Sequence, residues 1–253
     1  MKRPDFFIVG APKCGTTSLY AWLKDHPALF LPAGKEPHYF AQNLSDRYCR
    51  VRDAAAYAAL FAPARAGQLC GEASVLYSFY PQALRDILSA NPDARLIFLL
   101  RNPVDMARSY HAQLLLNLEE DLEDFAAAWA AQGARAKGAE LPATGTDPHL
   151  LQYRACCALG AHLENFISIV PEDRRLILVL DDIAADPRQE YLRCLDFLKI
   201  EDDGRMDFAA ENESAVLRFP ALQRMIQHPP AVLRPVRPLV KRLVSSATLT
   251  RLN

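Results

Sequence analysis

The strongest constraint on the fold is a short apolar run near the start of the chain that stops at a glycine. Phe6-Phe7-Ile8-Val9 is aromatic and β-branched and ends at Gly10, which predicts a strand. Apolar side chains at helical spacing follow over residues 15–24. The chain therefore starts with a strand, a glycine-bounded loop and a helix.

Three more apolar runs predict buried strands at 69–72, 95–100 and 176–180. The run Leu96-Ile97-Phe98-Leu99-Leu100 has no polar alternation, as expected of a strand covered on both faces. Helical patterns separate the strands: 81–90 behind Pro81, 103–116 starting at Pro103, about 122–132 behind a cap at Asp121, 150–168, and 187–198 behind Pro187. Strands that alternate with helices predict a three-layer α/β fold with a central parallel sheet flanked by helices.

Composition narrows the class of protein. Of the 253 residues, 51% are hydrophobic and 23% charged, which excludes disordered and collagen-like chains. No apolar run reaches the ~18 to 20 residues of a membrane span. The six cysteines form no CxxC pair, so neither zinc nor a disulfide framework is indicated, and reduced thiols favour a cytoplasmic location. The net charge of -1 argues against a nucleic-acid partner.

The loop after the first strand predicts an anion site. It reads Gly10-Ala11-Pro12-Lys13-Cys14-Gly15-Thr16-Thr17-Ser18, and a strand-to-helix turn of this kind points backbone N–H groups and the positive end of a helix at one spot. The Walker pattern has a lysine directly after its second glycine, whereas Thr16 stands here. Cys14 lies among these amides beside Lys13, which predicts either a reactive thiol of lowered pKa or a spectator turned into the core.

This loop resembles the P-K-x-G-T-[TS]-[SW] loop of the sulfotransferases that use 3′-phosphoadenosine 5′-phosphosulfate (PAPS), in particular the bacterial, heparan-sulfotransferase-like group. In that family the loop binds the 5′-phosphosulfate, so the resemblance implies cofactor contacts from Lys13, Cys14, Gly15, Thr16, Thr17 and Ser18. It also implies a P-loop-like version of the three-layer fold.

The family's second signature is a strand followed by R-[ND]-P and a helix with a serine eight residues after the arginine. Leu99-Leu100-Arg101-Asn102-Pro103 leads here to Ser109. The resemblance implies that Arg101 and Ser109 hold the 3′-phosphate of the cofactor. An arginine at the end of a strand and a serine two helical turns later can converge on a phosphate in the crevice outside the strand ends.

A third stretch, Lys35-Glu36-Pro37-His38-Tyr39-Phe40, is similar to the K-E-x-x-[FY]-F segment of the heparan-type and related bacterial members. There the glutamate is the base that deprotonates the acceptor, which implies a catalytic role for Glu36. His38 is predicted to assist it or to donate to the acceptor, and a hydrogen-bonded structural histidine is the alternative.

A looser resemblance covers Gly71-Glu72-Ala73-Ser74 and the segment from Leu178 to Lys199. Some heparan-type members carry a lysine at the position of Ala73, so a helper cation is absent there. Phe197-Leu198 is followed by Lys199 rather than by the family's glycine, which alters a helix terminus. The resemblance therefore covers most of residues 5–200.

The reaction implied is transfer of a sulfonyl group from PAPS to a hydroxyl or amine of a saccharide, lipid or small metabolite, leaving adenosine 3′,5′-bisphosphate (PAP) and requiring no metal. Lys13 would stabilise the charge that develops during transfer. A P-loop small-molecule kinase or NTPase is the alternative, since Asp181 and Asp182 follow the last strand as magnesium ligands would. A non-catalytic nucleotide or glycan-binding module is the third interpretation.

The end of the chain is basic and rich in proline. Seven basic residues and no acid lie in 214–253, and Val236, Leu239, Val240, Leu243 and Val244 recur on one helical face. We therefore predict one sulfotransferase domain over 1–253 with a basic helical tail at about 214–253. Such a tail could contact a membrane surface peripherally, form a wall of the acceptor site, or pack on the protein's own core.

Overall fold

The computed structural model describes residues 3–209, and its centre is one five-stranded parallel sheet. The strands are β1 (Phe6–Gly10), β2 (Leu29–Phe30), β3 (Leu69–Ala73), β4 (Arg95–Leu100) and β5 (Arg175–Val179). Their order across the sheet is β2-β3-β1-β4-β5, and every neighbouring pair is parallel. The predicted α/β architecture is confirmed.

The four strands predicted from apolar runs all occur, with ends shifted by one residue at most. The prediction missed β2, which has only two residues, Leu29 and Phe30, paired with Leu69 and Cys70 of β3. A strand this short carries no periodicity. It forms because the sheet offers an edge to the chain that leaves the first helix.

The helices of the described residues are α1 (Thr16–Lys24), α2 (Ala54–Ala59), α3 (Pro81–Ala90), α4 (Pro103–Leu116), α5 (Phe125–Ala130), α6 (Gln132–Arg135), α7 (Tyr153–Cys156), α8 (Leu159–Ile169), α9 (Leu180–Ala185) and α10 (Pro187–Leu198). Short 3₁₀ helices lie at Val75–Phe79, Pro148–Leu151 and Glu172–Arg174. The predicted bounds of α3, α4 and α10 are confirmed, because a proline at the first helical position marks each start.

The predicted cap of α5 was wrong. Asp121 was predicted, but the helix is capped by Asp124, whose side chain accepts from the amide of Ala127. The amides of Asp121 and Leu122 bond instead to the carboxylate of Glu120, and the helix begins only at Phe125.

The helix predicted over 150–168 is broken into a 3₁₀ turn, α7 and α8. Gln152 and Ala158 interrupt it with non-helical backbone angles. The side chains on both sides of these breaks are buried, so the apolar pattern runs on through them. Periodicity reports burial and does not detect a local change of backbone direction.

The sheet order creates a crevice at the carboxyl ends of its strands. The chain leaves the central strand β1 towards β3 and β2 on one side, and returns to β4 and β5 on the other. Ligands in open α/β sheets bind at such a switch point. The amide of Ala11 donates to the carbonyl of Leu99 at 2.9 Å, which holds the end of β1 against the end of β4.

A buried ion pair stabilises the segment that follows α4. The side chains of Arg135 and Glu120 are fully buried, with Nη2 of Arg135 2.6 Å from Oε1 of Glu120, and Tyr153 donates to the same carboxylate at 2.6 Å. Burial alone would raise the pKa of Glu120, but Arg135, Tyr153 and two backbone amides lower it to about 2.

The predicted basic tail at 214–253 lies outside the described residues. Within residues 3–209, no helix combines the length and apolarity that crossing a bilayer demands.

Substitution of Arg135 by methionine should lower the free energy of unfolding by about 3–5 kcal/mol, because it leaves the Glu120 carboxylate buried without its cation. Urea denaturation measures the change. The matched control is Arg188→Met, which removes an arginine paired with the more exposed Asp202 and should lower the free energy of unfolding far less. Equal losses in the two variants would contradict the assignment.

The Arg135–Glu120 pair should also affect how the free energy of unfolding depends on pH in acid. Because the pKa of Glu120 is lower in the folded state than the ~4.3 of a free glutamate, its contribution is complete above that value and is lost as the pH falls towards 2. Arg135→Met should therefore flatten the acid limb of the stability profile.

Candidate active site

The loop between β1 and α1 has the geometry of an anion cradle. Lys13 and Gly15 both adopt left-handed backbone conformations, with φ of 62° and 88°. A Cβ at residue 15 would lie 2.8 Å from Cδ1 of Leu180, so only glycine fits there without a shift. Gly15 is the N-cap of α1 and no side chain caps this end. The amides of the first turn are therefore available to an anion.

This loop forms one wall of a cleft of about 620 Å³. Nine of the ten residues predicted for the site line it: Lys13, Gly15, Thr16, Thr17, Ser18, Glu36, His38, Arg101 and Ser109. They come from three separate stretches of sequence that the sheet's switch point brings together.

Cys14 is the predicted site residue whose side chain does not line the cleft. It is fully buried, and its thiol lies 3.4 Å from the carbonyl of Pro12. Burial raises the pKa of the Cys14 thiol to about 12, and nearby Arg101 offsets only part of that rise. The prediction of a lowered pKa was therefore wrong, because desolvation outweighs the neighbouring positive charge.

Arg101 is locked to the loop by a backbone contact. Its Nη1 donates to the carbonyl of Lys13 at 2.9 Å, and its Nε is buried with no hydrogen-bond partner among the described residues. The Lys13 ammonium donates to Oε1 of Gln113 on α4 at 3.0 Å. Burial and the nearby Arg101 lower the pKa of Lys13. Two cations thus share a small, partly desolvated space.

The segment that carries Glu36 and His38 lies across the cleft from α4. Both residues have left-handed backbones, with φ of 63° and 52°. The amide of Glu36 donates to the carbonyl of Ala73 at 2.9 Å, and the amide of His38 donates to Oγ of Ser74 at 3.0 Å. Non-glycine residues in this region cost about 1–3 kcal/mol each and tend to cluster at functional sites.

The His38 ring is buried in the cleft wall. Its Nδ1 lies 3.1 Å from the carbonyl of Tyr48, and its Nε2 is buried with no partner among residues 3–209. Burial lowers the pKa of His38, and the Glu36 carboxylate opposes that effect. The imidazole is therefore neutral near pH 7.

Lys35 belongs to the site and received no role in the sequence analysis. Its Nζ donates to Oγ1 of Thr17 at 3.0 Å and lies 3.8 Å from Oε1 of Glu36. Burial lowers the pKa of Lys35. The Glu36 carboxylate opposes this effect and Lys13 adds to it, so the pKa is lowered overall. Lys35 directly precedes Glu36, so its approach to the loop between β1 and α1 depends on how residues 31–35 turn, which spacing does not reveal.

The remaining wall holds a second carboxylate. Glu119 lies beside Arg47, with Nε of the arginine 3.5 Å from Oε1 of the glutamate, and both line the cleft with Tyr48. Burial raises the pKa of Glu119, and Arg47 opposes that rise. No sequence motif marked these residues, because they come from irregular segments that only the fold places here.

Asp181 and Asp182 do not reach the cleft. They are exposed in the first turn of α9, and from this part of the chain only Leu180 lines the cleft. The sequence feature that favoured a kinase is thus the start of a helix. Over the described residues, no group of three or more His, Cys, Asp or Glu side chains could hold a metal ion.

Comparison with known proteins agrees with this geometry. A sulfotransferase domain model matches residues 3–215. The crystal structure of a sulfotransferase from Alicyclobacillus acidocaldarius aligns with a TM-score of 0.73 at 30% identity, covering 99% of this chain and 100% of that one. A sulfotransferase domain from the curacin biosynthetic pathway, at 16% identity and a TM-score of 0.52, shares the fold.

Among curated proteins, the heparan sulfate glucosamine 3-O-sulfotransferase 6 of Mus musculus is 30% identical over 198 residues, which are 78% of this chain and 53% of that protein. Carbohydrate sulfotransferase 15 of Mus musculus is 32% identical over 143 residues, 40% of this chain and 26% of that protein. This chain thus spans about half the length of the first of these relatives. The match of the domain model over most of the sequence shows that the chain belongs to the sulfotransferase family.

Proposed function

We propose that this protein transfers the sulfonyl group of PAPS to a hydroxyl or amine of an acceptor. The observation that carries the proposal is the convergence of Lys13, Lys35, Arg101 and the uncapped start of α1 on one cleft that also contains Glu36. Such a site offers a dense positive field for a multiply charged anion, with a carboxylate beside it.

The loop of β1 and α1 would hold the 5′-phosphosulfate. The amides of residues 14–17 and the hydroxyls of Thr16, Thr17 and Ser18 are its hydrogen-bond donors, and Lys13 adds charge. Cys14 would contribute its backbone amide alone, because its side chain is buried. The unmade capping bonds at the start of α1 fit an anionic group here.

Arg101 and Ser109 would hold the 3′-phosphate. The buried Nε of Arg101 has no partner among the described residues, so a phosphate oxygen would satisfy a donor that is otherwise costly to bury. The guanidinium is held by the Lys13 carbonyl, which orients it before any ligand arrives. PAP would be the product that leaves this site.

When bound, PAPS supplies a sulfonyl group attached to a phosphate leaving group. Glu36 would accept the proton of the acceptor hydroxyl or amine as general base. Lys13 and Lys35 would offset the negative charge that develops between the acceptor and the loop that joins β1 to α1. Lys35 would thereby serve as the helper cation that Ala73 cannot provide.

His38 would bind or assist the acceptor. Its neutral imidazole carries its proton on Nδ1, which faces the Tyr48 carbonyl, so the buried Nε2, without a partner among residues 3–209, can accept a hydrogen bond from the acceptor substrate. The acceptor itself is proposed as a saccharide, lipid or small metabolite. A saccharide is favoured because the names of the curated relatives specify carbohydrate acceptors.

The kinase alternative is disfavoured by the exposed position of Asp181 and Asp182 and by the absence of a lysine after Gly15.

Thermal-shift comparison separates the sulfotransferase from the kinase: PAP should stabilise the protein more than ATP with magnesium does. Incubation with ³⁵S-labelled PAPS and a panel of saccharides, lipids and small hydroxyl compounds then tests turnover. Labelling of no acceptor, with intact PAP binding, would favour a binding module instead.

Substitution of Glu36 by glutamine should lower turnover by about two to four orders of magnitude, because it keeps the side chain's shape and removes the base. PAP affinity, measured by calorimetry, should stay unchanged. The matched control is Glu119→Gln, which alters the second carboxylate of the cleft and should reduce turnover by less than about tenfold. A large loss in Glu119→Gln alone would assign the base to Glu119.

Substitution of Arg101 by alanine should weaken PAP binding by about 10- to 150-fold, the value of a charge-assisted contact. Binding of 5′-AMP, which lacks the 3′-phosphate, should change far less. Arg108→Ala serves as control, because Arg108 is exposed on α4, next to Ser109, and does not line the cleft. Equal weakening of PAP and 5′-AMP in Arg101→Ala would refute the 3′-phosphate contact.

Substitution of Lys35 by methionine should lower kcat/KM for PAPS by about 10- to 150-fold through loss of a charge at the sulfonyl end. PAP lacks the sulfonate, so its affinity should fall less than that of PAPS. The exposed Lys24, near the end of α1, gives the control Lys24→Met, which should match the wild type. Equal losses for PAP and PAPS would place Lys35 outside the transfer step.

A further inference from the structure

Glu72, at the end of β3, is a buried carboxyl that the proposed chemistry does not use. It is 1% exposed and does not line the cleft. Its Oε2 accepts from the hydroxyl of Tyr57 and, at 3.3 Å, from that of Tyr77. Burial raises the pKa of Glu72 to about 7, against the lowering effect of the Ser74, Tyr57 and Tyr77 hydroxyls. Burying a carboxyl so completely is costly.

Tyr77 connects this carboxyl to the segment that carries Glu36. The backbone amide of Phe40 donates to the Tyr77 hydroxyl at 3.2 Å. A hydroxyl has one proton to donate and lone pairs with which to accept. Because the proton of Tyr77 is donated to Glu72, its oxygen presents a lone pair to the Phe40 amide. The Phe40 amide can only donate, so Glu72 supports this bond by keeping the Tyr77 hydroxyl proton turned away from that amide.

The bond at Phe40 is the third of a regular set. The amides of Glu36, His38 and Phe40 donate in turn to the Ala73 carbonyl, the Ser74 hydroxyl and the Tyr77 hydroxyl. Every second amide of 36–40 is therefore anchored on residues 73–77. Two residues of the segment have left-handed backbones, which persist only where surrounding contacts hold them.

Tyr57 supports the same segment from the other side. Its ring stacks on that of Tyr39, with centroids 4.1 Å apart and an interplanar angle of 10°. The Phe40 ring packs edge-on against both Tyr57 and Tyr77. The two tyrosines that bond to Glu72 thus both pack against residues 39–40, but of the two only Tyr77 bonds to the segment's backbone.

We propose that Glu72 is a positioning residue for Glu36: it orients the Tyr77 hydroxyl so that the segment 36–40 is held with its carboxylate in the cleft. The proposal rests on the proposed role of Glu36 as base. Glu72 touches neither donor nor acceptor and acts through Tyr77 and Phe40.

A matched pair of variants tests the link. Tyr77→Phe and Tyr57→Phe each remove one hydroxyl that donates to Glu72, but only Tyr77→Phe removes the acceptor of the Phe40 amide. Measured at about pH 8, where Glu72 is mostly ionised, kcat should fall by about 10- to 100-fold in Tyr77→Phe, since a small misplacement of a reacting group has that effect. KM for PAPS should stay within about twofold. Tyr57→Phe should keep kcat within about threefold.

Amide hydrogen exchange supplies a readout that does not depend on turnover. Exchange at Phe40 should accelerate by about tenfold or more in Tyr77→Phe and in Glu72→Met, which lacks an acceptor for the Tyr77 proton, and stay at the wild-type rate in Tyr57→Phe and Glu36→Gln. Equal exchange at Phe40 in the two tyrosine variants would overturn the proposal, as would wild-type exchange in Glu72→Met. This result stands even if Glu36→Gln proves active, which would refute the base assignment alone.

A double variant tests whether Glu72 affects turnover only through Glu36. If Glu72 acts only through Glu36, adding Glu72→Met to Glu36→Gln should lower kcat by no more than about twofold, although Glu72→Met alone lowers it by about tenfold. A fully additive loss would show that Glu72 affects turnover by general destabilisation, and would overturn the positioning role.

Discussion

The contact between the end of β1 and the end of β4 is the constraint on which the site depends. The Ala11 amide donates to the Leu99 carbonyl. Two residues beyond each of these, the Arg101 guanidinium donates to the Lys13 carbonyl. Parallel pairing of β1 with β4 makes both contacts possible, because it sets the two carboxyl ends side by side. The start of α1 is aimed into the crevice between them by the left-handed turn at Gly15.

Positive charge in the cleft is held at an electrostatic cost. Burial lowers the pKa of both Lys13 and Lys35, and each is lowered further by a neighbouring cation, Arg101 or Lys13. Cations kept this close in a partly desolvated space repel one another, and a multiply charged anion relieves that repulsion. The same field explains how an enzyme could stabilise charge at a leaving group without prior rearrangement.

The segment 36–40, which carries the proposed base Glu36, depends on a different kind of support. Residues 36–40 form no helix or strand, and two of them occupy costly backbone conformations. Hydrogen bonds from alternate amides to residues 73–77, with aromatic rings packed on either side, compensate for that strain. Rigid strands thus provide the anion site, whereas an irregular segment tied to the end of β3 provides the carboxylate.

Much of this arrangement could be predicted from the sequence. Uniform apolar runs specify buried parallel strands, prolines mark the first turns of α3, α4 and α10, and the motifs around Lys13, Glu36 and Arg101 identify nine residues that line the cleft. These signals are local: they depend on side-chain periodicity, backbone restriction or short spacing. The roles of these residues in binding and catalysis stay predictions.

Only the tertiary structure decided where the remaining side chains lie. The fold turned Cys14 into the core, where desolvation overrides the neighbouring cation, and it brought Lys35 to Thr17 and Glu119 beside Arg47. It also placed Glu72 beneath Tyr57 and Tyr77. Burial and long-range contact are properties of the packed chain, so no window of sequence contains them, whereas the positions of the buried strands and the spacing of the motifs depend on the local pattern alone.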